Sequence, residues 1–365
     1  MEELQHIVLL CSRLDQPGGT ERATVNLANL LARHGYKVTL AVLDETASSF
    51  YMVDPAVQLV HRNLHFGITA KGNTISRKLD LYRHIRQLKK LIAALKADVV
   101  IGTEYHFSIS AWLAARRLPV RVFAWEHHHI HWLKKNRFWT ILFRSIYPKL
   151  DAVVCQNERE KSFHAAFGCD ATVIPYSIDK TSAEHAALDQ KNILTVGWLI
   201  RRKGADLIPQ VARKIFQHHP DWRWTVIGSG ALYESLQAQI KDLHLENNLF
   251  LQAPASQDLK NVYLSASIYV MLSRSECLPM VLLEAASYGL PAVAFDCPTG
   301  PAEIIQTGRD GFIVPMEDVD GLSDAILQLM KDESLRQQMG SSALEDSQRY
   351  APEKVYGLWR QLLEE

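Results

Sequence analysis

The chain has 365 residues, which is too long for one ordinary hydrophobic core and predicts two α/β domains. It contains no run of eighteen apolar residues, and Glu2 and Glu3 stand where a signal peptide would be basic, so we expect neither a transmembrane helix nor a signal peptide. Its five cysteines are scattered without a C-x-x-C, which favours reduced thiols in the cytosol over a disulfide framework.

The formal net charge is zero, but the two halves differ. Residues 1–175 hold 23 Lys and Arg against 15 Asp and Glu, and the remainder holds 17 against 25. A basic first half predicts that the first domain faces something anionic. The chain shows no nucleic-acid recognition motif, so we expect an anionic membrane surface or a pyrophosphate-linked lipid and no nucleic acid.

The chain opens with a βαβ pattern. Gly18 and Gly19 lie in the loop between the first strand and the first helix. A glycine there lets the backbone approach a ligand closely, because it has no Cβ in between. The alternative is that the pair serves only the turn. The elements are strand His6–Cys11, helix Glu21–His34 with Thr20 as its N-cap, and strand Val38–Leu43.

A histidine-rich stretch follows a later predicted strand. Val120–Trp125 is apolar, and Glu126 then precedes His127, His128, His129 and His131. Histidines at this density are typical of a metal site, but no acidic or cysteine partner completes a ligand set nearby, so we expect no metal.

The next segment, W-L-K-K-N-R-F-W-T-I-L-F-R-S-I-Y-P-K-L, mixes bulky apolar and basic side chains. It is consistent with an amphipathic helix whose apolar face enters the core. The competing interpretation is a helix at a membrane surface, with Trp132, Phe138 and Trp139 among the headgroups and basic residues, including Lys134, on anionic lipid. The basic first half favours the second interpretation.

The second half has two loops that carry charged residues suited to binding or catalysis. Lys203 and Gly204 follow the strand that begins at Ile193. Glu276 follows the strand Ile268–Leu272, and Pro279 opens a helix that carries Glu284 on the apolar stretch V-L-L-E-A-A. An unpaired charge there would cost several kcal/mol, so something should satisfy it. The start of this helix, and Gly300 before a helix beginning at Pro301, offer free N–H groups to an anion.

These residues resemble a known family. Glu276 and Glu284, eight positions apart with Pro279 between them, are similar to the Glu-x7-Glu signature of the family 4 retaining glycosyltransferases. The resemblance covers nearly the whole chain and is strongest over residues 274–314; one departure is Cys277, where the family usually has glycine. It implies an α/β GT-B fold, with two Rossmann-like domains facing across a cleft, over residues 1–178 and 190–348, and a C-terminal helix, 350–365, crossing back onto the first.

The resemblance also implies roles. Arg201 and Lys203 would hold the donor diphosphate, although Trp198 occupies the family's arginine position and Arg202 is an equal candidate. Glu276 would bind the donor sugar, and His127 would position sugar and acceptor. These four residues (His127, Arg201, Lys203 and Glu276) are the catalytic candidates, and the donor-binding candidates are Gly18, Gly19, Gly228, Ala253, Leu278, Pro279, Met280, Glu284 and Gly300.

The implied activity is transfer of a hexose or N-acetylhexosamine from a UDP-sugar to a lipid-linked or polysaccharide acceptor in bacterial envelope glycan biosynthesis, with retention. It needs no metal and no cofactor beyond the nucleotide-sugar, and it places the protein in the cytoplasm, peripherally on the inner face of the membrane. Two alternatives remain open. A UDP-sugar 2-epimerase of the same fold would form product without an acceptor, and a non-catalytic partner would bind the nucleotide-sugar without turnover.

Overall fold

The computed structural model describes residues 5–44, 48–66, 74–129, 135–178, 183–254 and 259–365, with the side chains of 74–77 left out. The chain forms two compact units. The first is Met1–Ser177 together with Pro352–Glu365, and the second is Ile178–Ala351. Each unit is built on one parallel sheet, as predicted for an α/β protein.

The first unit contains a seven-stranded sheet of order β3-β2-β1-β4-β5-β6-β7. All six strand pairs are parallel. The strands are β1 His6–Cys11, β2 Lys37–Val42, β3 Gln58–His61, β4 Val99–Gly102, β5 Arg121–Trp125, β6 Ala152–Cys155 and β7 Ala171–Val173, and the helices are α1 Gly19–Arg33, α2 Thr74–Leu95, α3 Tyr105–Ala115, α4 Arg137–Ile146 and α5 Glu158–Ala166.

The second unit contains a six-stranded parallel sheet of order β10-β9-β8-β11-β12-β13. The strands are β8 Asn192–Val196, β9 Arg223–Ile227, β10 Leu249–Gln252, β11 Ile268–Met271, β12 Ala292–Asp296 and β13 Gly311–Pro315, and the helices are α6 Ile208–His218, α7 Tyr233–Asp242, α8 Lys260–Leu264, α9 Met280–Ser287, α10 Pro301–Ile304, α11 Val319–Lys331 and α12 Glu333–Ser347.

The strand orders fix where a ligand can bind. In each sheet the unit's first strand lies beside its fourth, β1 beside β4 and β8 beside β11. The chain therefore winds outward in opposite directions from these two pairs. In such sheets a crevice opens outside the carboxyl ends of the paired strands, and ligands bind there. A ligand in these crevices would contact the loops that follow β1, β4, β8 and β11.

The last helix, α13 (Pro352–Glu364), belongs to the first unit, as the resemblance implied. Trp359 packs edge to face on Trp125 at 5.5 Å between ring centroids, and Tyr356 stacks on His34 at 3.5 Å. The guanidinium of Arg121 donates to the carbonyl of Leu362 at 3.3 Å and so satisfies a carbonyl that the helix end leaves unpaired.

The predicted start of the first helix is wrong. Helix α1 begins at Gly19 with Gly18 as its N-cap, rather than at Glu21 with Thr20 as its cap. Gly18 is extended, and its carbonyl accepts from the amide of Arg22 at 3.0 Å, so the backbone starts the helix without a side-chain cap.

The predicted interfacial helix is only partly exposed. Helix α4 covers its middle, and Trp132 and Lys134 lie outside the described residues. Trp139 is buried in the core, 4% exposed, so it cannot enter the headgroups, whereas Phe138 is 41% exposed. No helix in the described ranges is both long and apolar enough to cross a membrane.

Candidate functional site

The loop after β8 is pressed against the end of β11. It contains two 3-10 turns, Arg201–Lys203 and Ala205–Leu207, separated by Gly204. Gly204 has a φ of +70°, and a Cβ there would lie 1.9 Å from the carbonyl oxygen of Leu272. Only glycine fits this close approach. The approach brings the turn Arg201–Lys203 (the lysine turn) beside the loop that follows β11.

Lys203 and Glu276 meet at this point. The Lys203 ammonium lies 2.6 Å and 2.7 Å from the two carboxylate oxygens of Glu276. The side chains are only 22% and 7% exposed, so water screens the pair weakly. The structure thus joins two of the predicted catalytic residues in one charged pair, beside the crevice between β8 and β11.

Arg274, for which the sequence indicated no role, contacts the lysine turn from the other side. Its guanidinium forms a two-pronged contact with Asp206, at 2.7 Å and 3.0 Å, and also donates to the carbonyl of Arg201. Its backbone amide donates to the carbonyl of Arg202 at 2.9 Å. Arg201 and Arg202 therefore have a fixed backbone, while both side chains are exposed.

The loop after β12 contacts Glu276 and holds its backbone in place. The Thr299 hydroxyl donates to the carbonyl of Glu276. Gly300 has a φ of +102°, and a Cβ there would lie 2.8 Å from Cδ of Pro279 and 3.1 Å from Cβ of Glu276. This crowding explains the glycine at position 300. The helix after it, α10, has only four residues, so its dipole offers an anion less than predicted.

Glu284 lies in α9 and is 3% exposed. Its Oε2 accepts a hydrogen bond from the Tyr263 hydroxyl at 2.8 Å, and Tyr263 stacks on Tyr288 with 5.2 Å between centroids. This tyrosine supplies a partner that the apolar sequence around Glu284 required. Pro279 is the N-cap of the helix, and Leu278 and Met280 beside it are buried.

Gly228 and Ala253 lie farther along the same edge of the sheet. Gly228 follows β9, and a Cβ there would lie 1.9 Å from the carbonyl oxygen of Gly197. The close packing of two loops is thus sufficient to require glycine. Ala253 follows β10, the edge strand, and is exposed. Residues 255–258, shortly after Ala253, lie outside the described residues.

In the first unit, His127 lies just beyond β5 and is 5% exposed. Its Nδ1 is 2.8 Å from the Tyr176 hydroxyl, and the two rings stack with 5.5 Å between centroids. Burial lowers the pKa of His127 well below its usual value, and the neighbouring His128 lowers it further, so the imidazole is neutral near pH 7. Tyr176 is thus the partner of the predicted catalytic histidine.

The other histidines of the cluster do not join it. His129 contacts Glu160, His128 is exposed, and His131 lies outside the described residues. Within those described residues no three His, Cys, Asp or Glu side chains are grouped as metal ligands. Gly18 is the N-cap of α1, and a Cβ at Gly19 would meet nothing within 4 Å, so packing does not require glycine there.

Carboxyl groups that the sequence did not single out lie near the crevice between β1 and β4. Burial raises the pKa of Glu104 to about 7, opposed by a hydrogen bond from Ser12 and assisted by the charges of Glu21 and Glu126. Burial also raises the pKa of Glu126, which accepts a hydrogen bond from Tyr147. Glu104 follows the end of the apolar strand β4 by two residues, and this position at the carboxyl end of a strand could have identified it.

Comparison with known proteins identifies the family. Residues 17–182 match the family model Glycosyltransferase Family 4, and residues 177–346 match Glycosyl transferases group 1. The chain is 27% identical over 363 residues to an uncharacterized glycosyltransferase of Haemophilus influenzae, covering 99% of this chain and 100% of that one. It is 28% identical over 368 residues to the amylovoran biosynthesis glycosyltransferase AmsD of Erwinia amylovora, covering 98% and 99%.

A solved structure shows the fold. A Staphylococcus aureus TarM mutant in complex with fondaparinux, alpha-GlcNAc-glycerol and UDP superimposes with a TM-score of 0.82 at 13% identity, covering 99% of this chain and 100% of that one. The chain is therefore a member of glycosyltransferase family 4, a retaining hexosyltransferase with the GT-B fold that takes its sugar from a nucleotide-sugar donor.

Proposed function

We propose that this enzyme transfers a hexose or N-acetylhexosamine from a UDP-sugar to a lipid-linked or polysaccharide acceptor in bacterial envelope glycan biosynthesis. The observation that carries the proposal is the Lys203–Glu276 pair beside the crevice of the second sheet. The names of the relatives support the finer points: AmsD acts in amylovoran biosynthesis, and the TarM structure contains UDP.

The donor diphosphate would bind at the lysine turn. Its departure leaves negative charge on the β-phosphate, and a preorganised cation stabilises that charge without moving in the reaction. Lys203 has three N–H donors, so it can turn toward phosphate while Glu276 holds its position. Arg201 adds an exposed guanidinium, which suits phosphate geometry. The Glu276 carboxylate accepts sugar hydroxyls, and Glu284 accepts those of the ribose.

His127 would position the sugar as a neutral group. Since burial keeps its imidazole uncharged, it serves as a hydrogen-bond donor or acceptor rather than as a cation. No side chain is arranged as an evident covalent nucleophile in the described sites, so our working mechanism is front-face attack of the acceptor hydroxyl on an oxocarbenium-like sugar. Gly19, with open space where its Cβ would be, leaves room for the acceptor.

The test of this function is a panel of UDP- and GDP-sugars scored for hydrolysis and for protection against thermal unfolding, because a ligand that binds only the folded state raises its apparent stability. We expect one UDP-sugar both to be hydrolysed and to protect the protein against thermal unfolding. Product formed from a UDP-sugar without any acceptor, as a 2-epimer, would identify an epimerase instead. Protection without hydrolysis or transfer would identify a binding partner.

The lipid part of the proposal is supported by the surface of α2 and α4, which both pack on α3. Leu79 and Tyr82 on α2 are 54% and 59% exposed, and Ile141 on α4 is 57% exposed. Exposed apolar side chains among basic ones suit an anionic membrane surface. The exposed basic residues of the two helices are Lys78, Arg83, Arg86, Lys90, Arg137 and Arg144.

Sedimentation with liposomes tests this surface. We expect binding to vesicles that contain anionic lipid and weak binding to neutral ones, and Ile141→Glu should weaken the first without changing hydrolysis of the UDP-sugar in solution. A matched control is Leu358→Glu on α13, a leucine of similar exposure (42%) on another helix. Equal binding to both kinds of vesicle, or binding to neither, would refute the membrane proposal.

A further inference from the structure

Two buried polar side chains at the carboxyl ends of β5 and β6 have polar atoms for which the described residues offer no hydrogen-bond partner. Gln156 is 2% exposed, and neither its amide oxygen nor its amide nitrogen has a partner there. His127 bonds Tyr176 through Nδ1 but leaves Nε2 without one. Each such atom costs about 1–3 kcal/mol, so its presence needs a reason.

The sheet register places the two residues at the same level on neighbouring strands. Trp125 of β5 is paired with Val154 of β6. His127 and Gln156 each follow their paired strand position by two residues, so they leave neighbouring strands at the same level and on the same edge of the sheet. The two residues are thus placed so that the Nε2 of His127 and the amide of Gln156 can line one small polar region.

The charged groups at this edge are satisfied, whereas the indole Nε1 of Trp125, at the end of β5, is a further buried atom without a partner among the described residues. Glu126 accepts from Tyr147, and Glu160 contacts His129. Ser110 and His164 are further buried side chains without partners among the described residues, but they lie within α3 and α5 rather than at strand ends. The unit therefore satisfies the charged groups beside the region and leaves the neutral ones open.

The chemistry of the open atoms indicates their ligand. An amide offers one acceptor and two donors, and a neutral imidazole nitrogen offers one or the other, so together they match a hydroxyl group, which both donates and accepts. A phosphate or carboxylate would require a cation, which this pair does not supply. In a glycosyltransferase the hydroxyls available to this pair are those of the two sugars, since the proposed function assigns the ribose hydroxyls to Glu284 of the second unit.

We propose that Gln156, together with His127, binds one hydroxyl group of a sugar substrate, and that Gln156 determines which sugar is accepted at that position. This inference rests on the proposed function. A site built to bond a hydroxyl rejects an analogue that lacks it, because the protein groups are then left unpaired. The hydroxyl belongs either to the donor or to the acceptor sugar, and the experiment distinguishes these sources.

The experiment compares wild type with Gln156→Met, which keeps the length of the side chain and removes the amide. Because the amide has no partner in the free protein, the Tm without ligand should be unchanged or higher. If the donor sugar supplies the hydroxyl, the variant loses the extra thermal protection that UDP-glucose or UDP-N-acetylglucosamine gives over UDP, and its donor hydrolysis falls about tenfold. If the acceptor supplies it, both of these stay normal and transfer to lipid-linked glycan in a membrane fraction falls about tenfold.

Ser110→Ala is the matched control, since it removes another buried polar atom without a partner and should change neither hydrolysis nor transfer. The inference is overturned if Gln156→Met lowers the ligand-free Tm by several degrees and leaves both activities at the wild-type level, as a glutamine that only holds a buried water would. A wild type that turns over no donor refutes the proposed function alone. The site is then judged by whether free glucose or N-acetylglucosamine protects wild type, and not the variant, against unfolding.

Discussion

Both sheets carry buried polar side chains at the carboxyl ends of neighbouring strands, but the two sets differ in charge. In the second unit Lys203 and Glu276 are ionised partners, fixed by Arg274 and Gly204. In the first unit His127 and Gln156 are neutral and retain atoms without partners among the described residues. The second unit is thus suited to the charge of a departing diphosphate, and the first to the neutral hydroxyls of a sugar.

The largest effect expected near neutral pH is the loss of the charged pair. Lys203→Met leaves Glu276 with little exposure and without its cation, so we expect the free energy of unfolding to fall by about 2 kcal/mol and kcat/KM to fall at least tenfold. Urea denaturation and donor hydrolysis measure the two changes.

A double variant separates the two effects. Lys203→Met with Glu276→Gln removes both charges, so stability should largely return while activity stays low. Lys241→Met, a change at an exposed lysine on α7, is the control. Wild-type turnover in the single variant would show that the pair is structural.

The neutral character of the first unit predicts sensitivity to acid. Burial, assisted by the charge of Lys135, lowers the pKa of His164 to about 4, whereas the unfolded chain binds a proton near the ordinary value of 6.5. Below pH 6.5 the unfolded state therefore binds more protons, so His164 alone makes stability fall by about 1.4 kcal/mol for each unit by which the pH drops, down to pH 4. His164→Gln should remove this contribution, while His127, whose pKa is also lowered, still contributes.

Urea denaturation between pH 4 and pH 8 checks the slope. The stability of His164→Gln relative to wild type should rise steadily as the pH falls from 6.5. His185→Gln, at an exposed position of the second unit, should follow the wild-type curve. Parallel curves for wild type and His164→Gln would show that this imidazole is not held neutral.

A smaller effect is expected at Arg274. Arg274→Lys keeps the charge but loses the two-pronged contact with Asp206, so we expect about 1.5 kcal/mol less stability and a fall of about fivefold in kcat/KM as the lysine turn loosens. Arg309→Lys, which loses a similar contact with Asp346 at an exposed position, is the control and should leave kcat/KM unchanged. If Arg274→Lys matches that control, Arg274 does not position Lys203.

The sequence predicted the fold and the members of the charged pair but not the contacts between residues. Lys203 and Glu276 were found through a family resemblance, while their pairing depends on β8 lying beside β11, which no local pattern states. Arg274 was overlooked because a guanidinium is informative only once its partner, Asp206, is known to be near. The start of α1 was wrong because its N-cap is a backbone conformation at Gly18 rather than a side-chain preference.

Gln156 shows a different kind of limit. Its amide is buried and has no hydrogen-bond partner among the described residues. This can be recognised only when the positions of all neighbouring residues are known. Tyr176 was likewise not singled out in the sequence, because its importance is its contact with His127, which only the structure shows.

The smallest expected effect concerns the neutral polar residues of the first unit. Tyr176→Phe keeps the ring that stacks on His127 and removes only the hydroxyl that bonds Nδ1. The free energy of unfolding should fall by about 1 kcal/mol, since one buried hydrogen bond is lost. If His127 binds substrate, the freed imidazole should also raise KM for the donor or the acceptor a few-fold while kcat changes less. Tyr233→Phe, on the half-buried surface of α7, is the control. A loss of stability with an unchanged KM would place His127 in the core of the first unit rather than in its site.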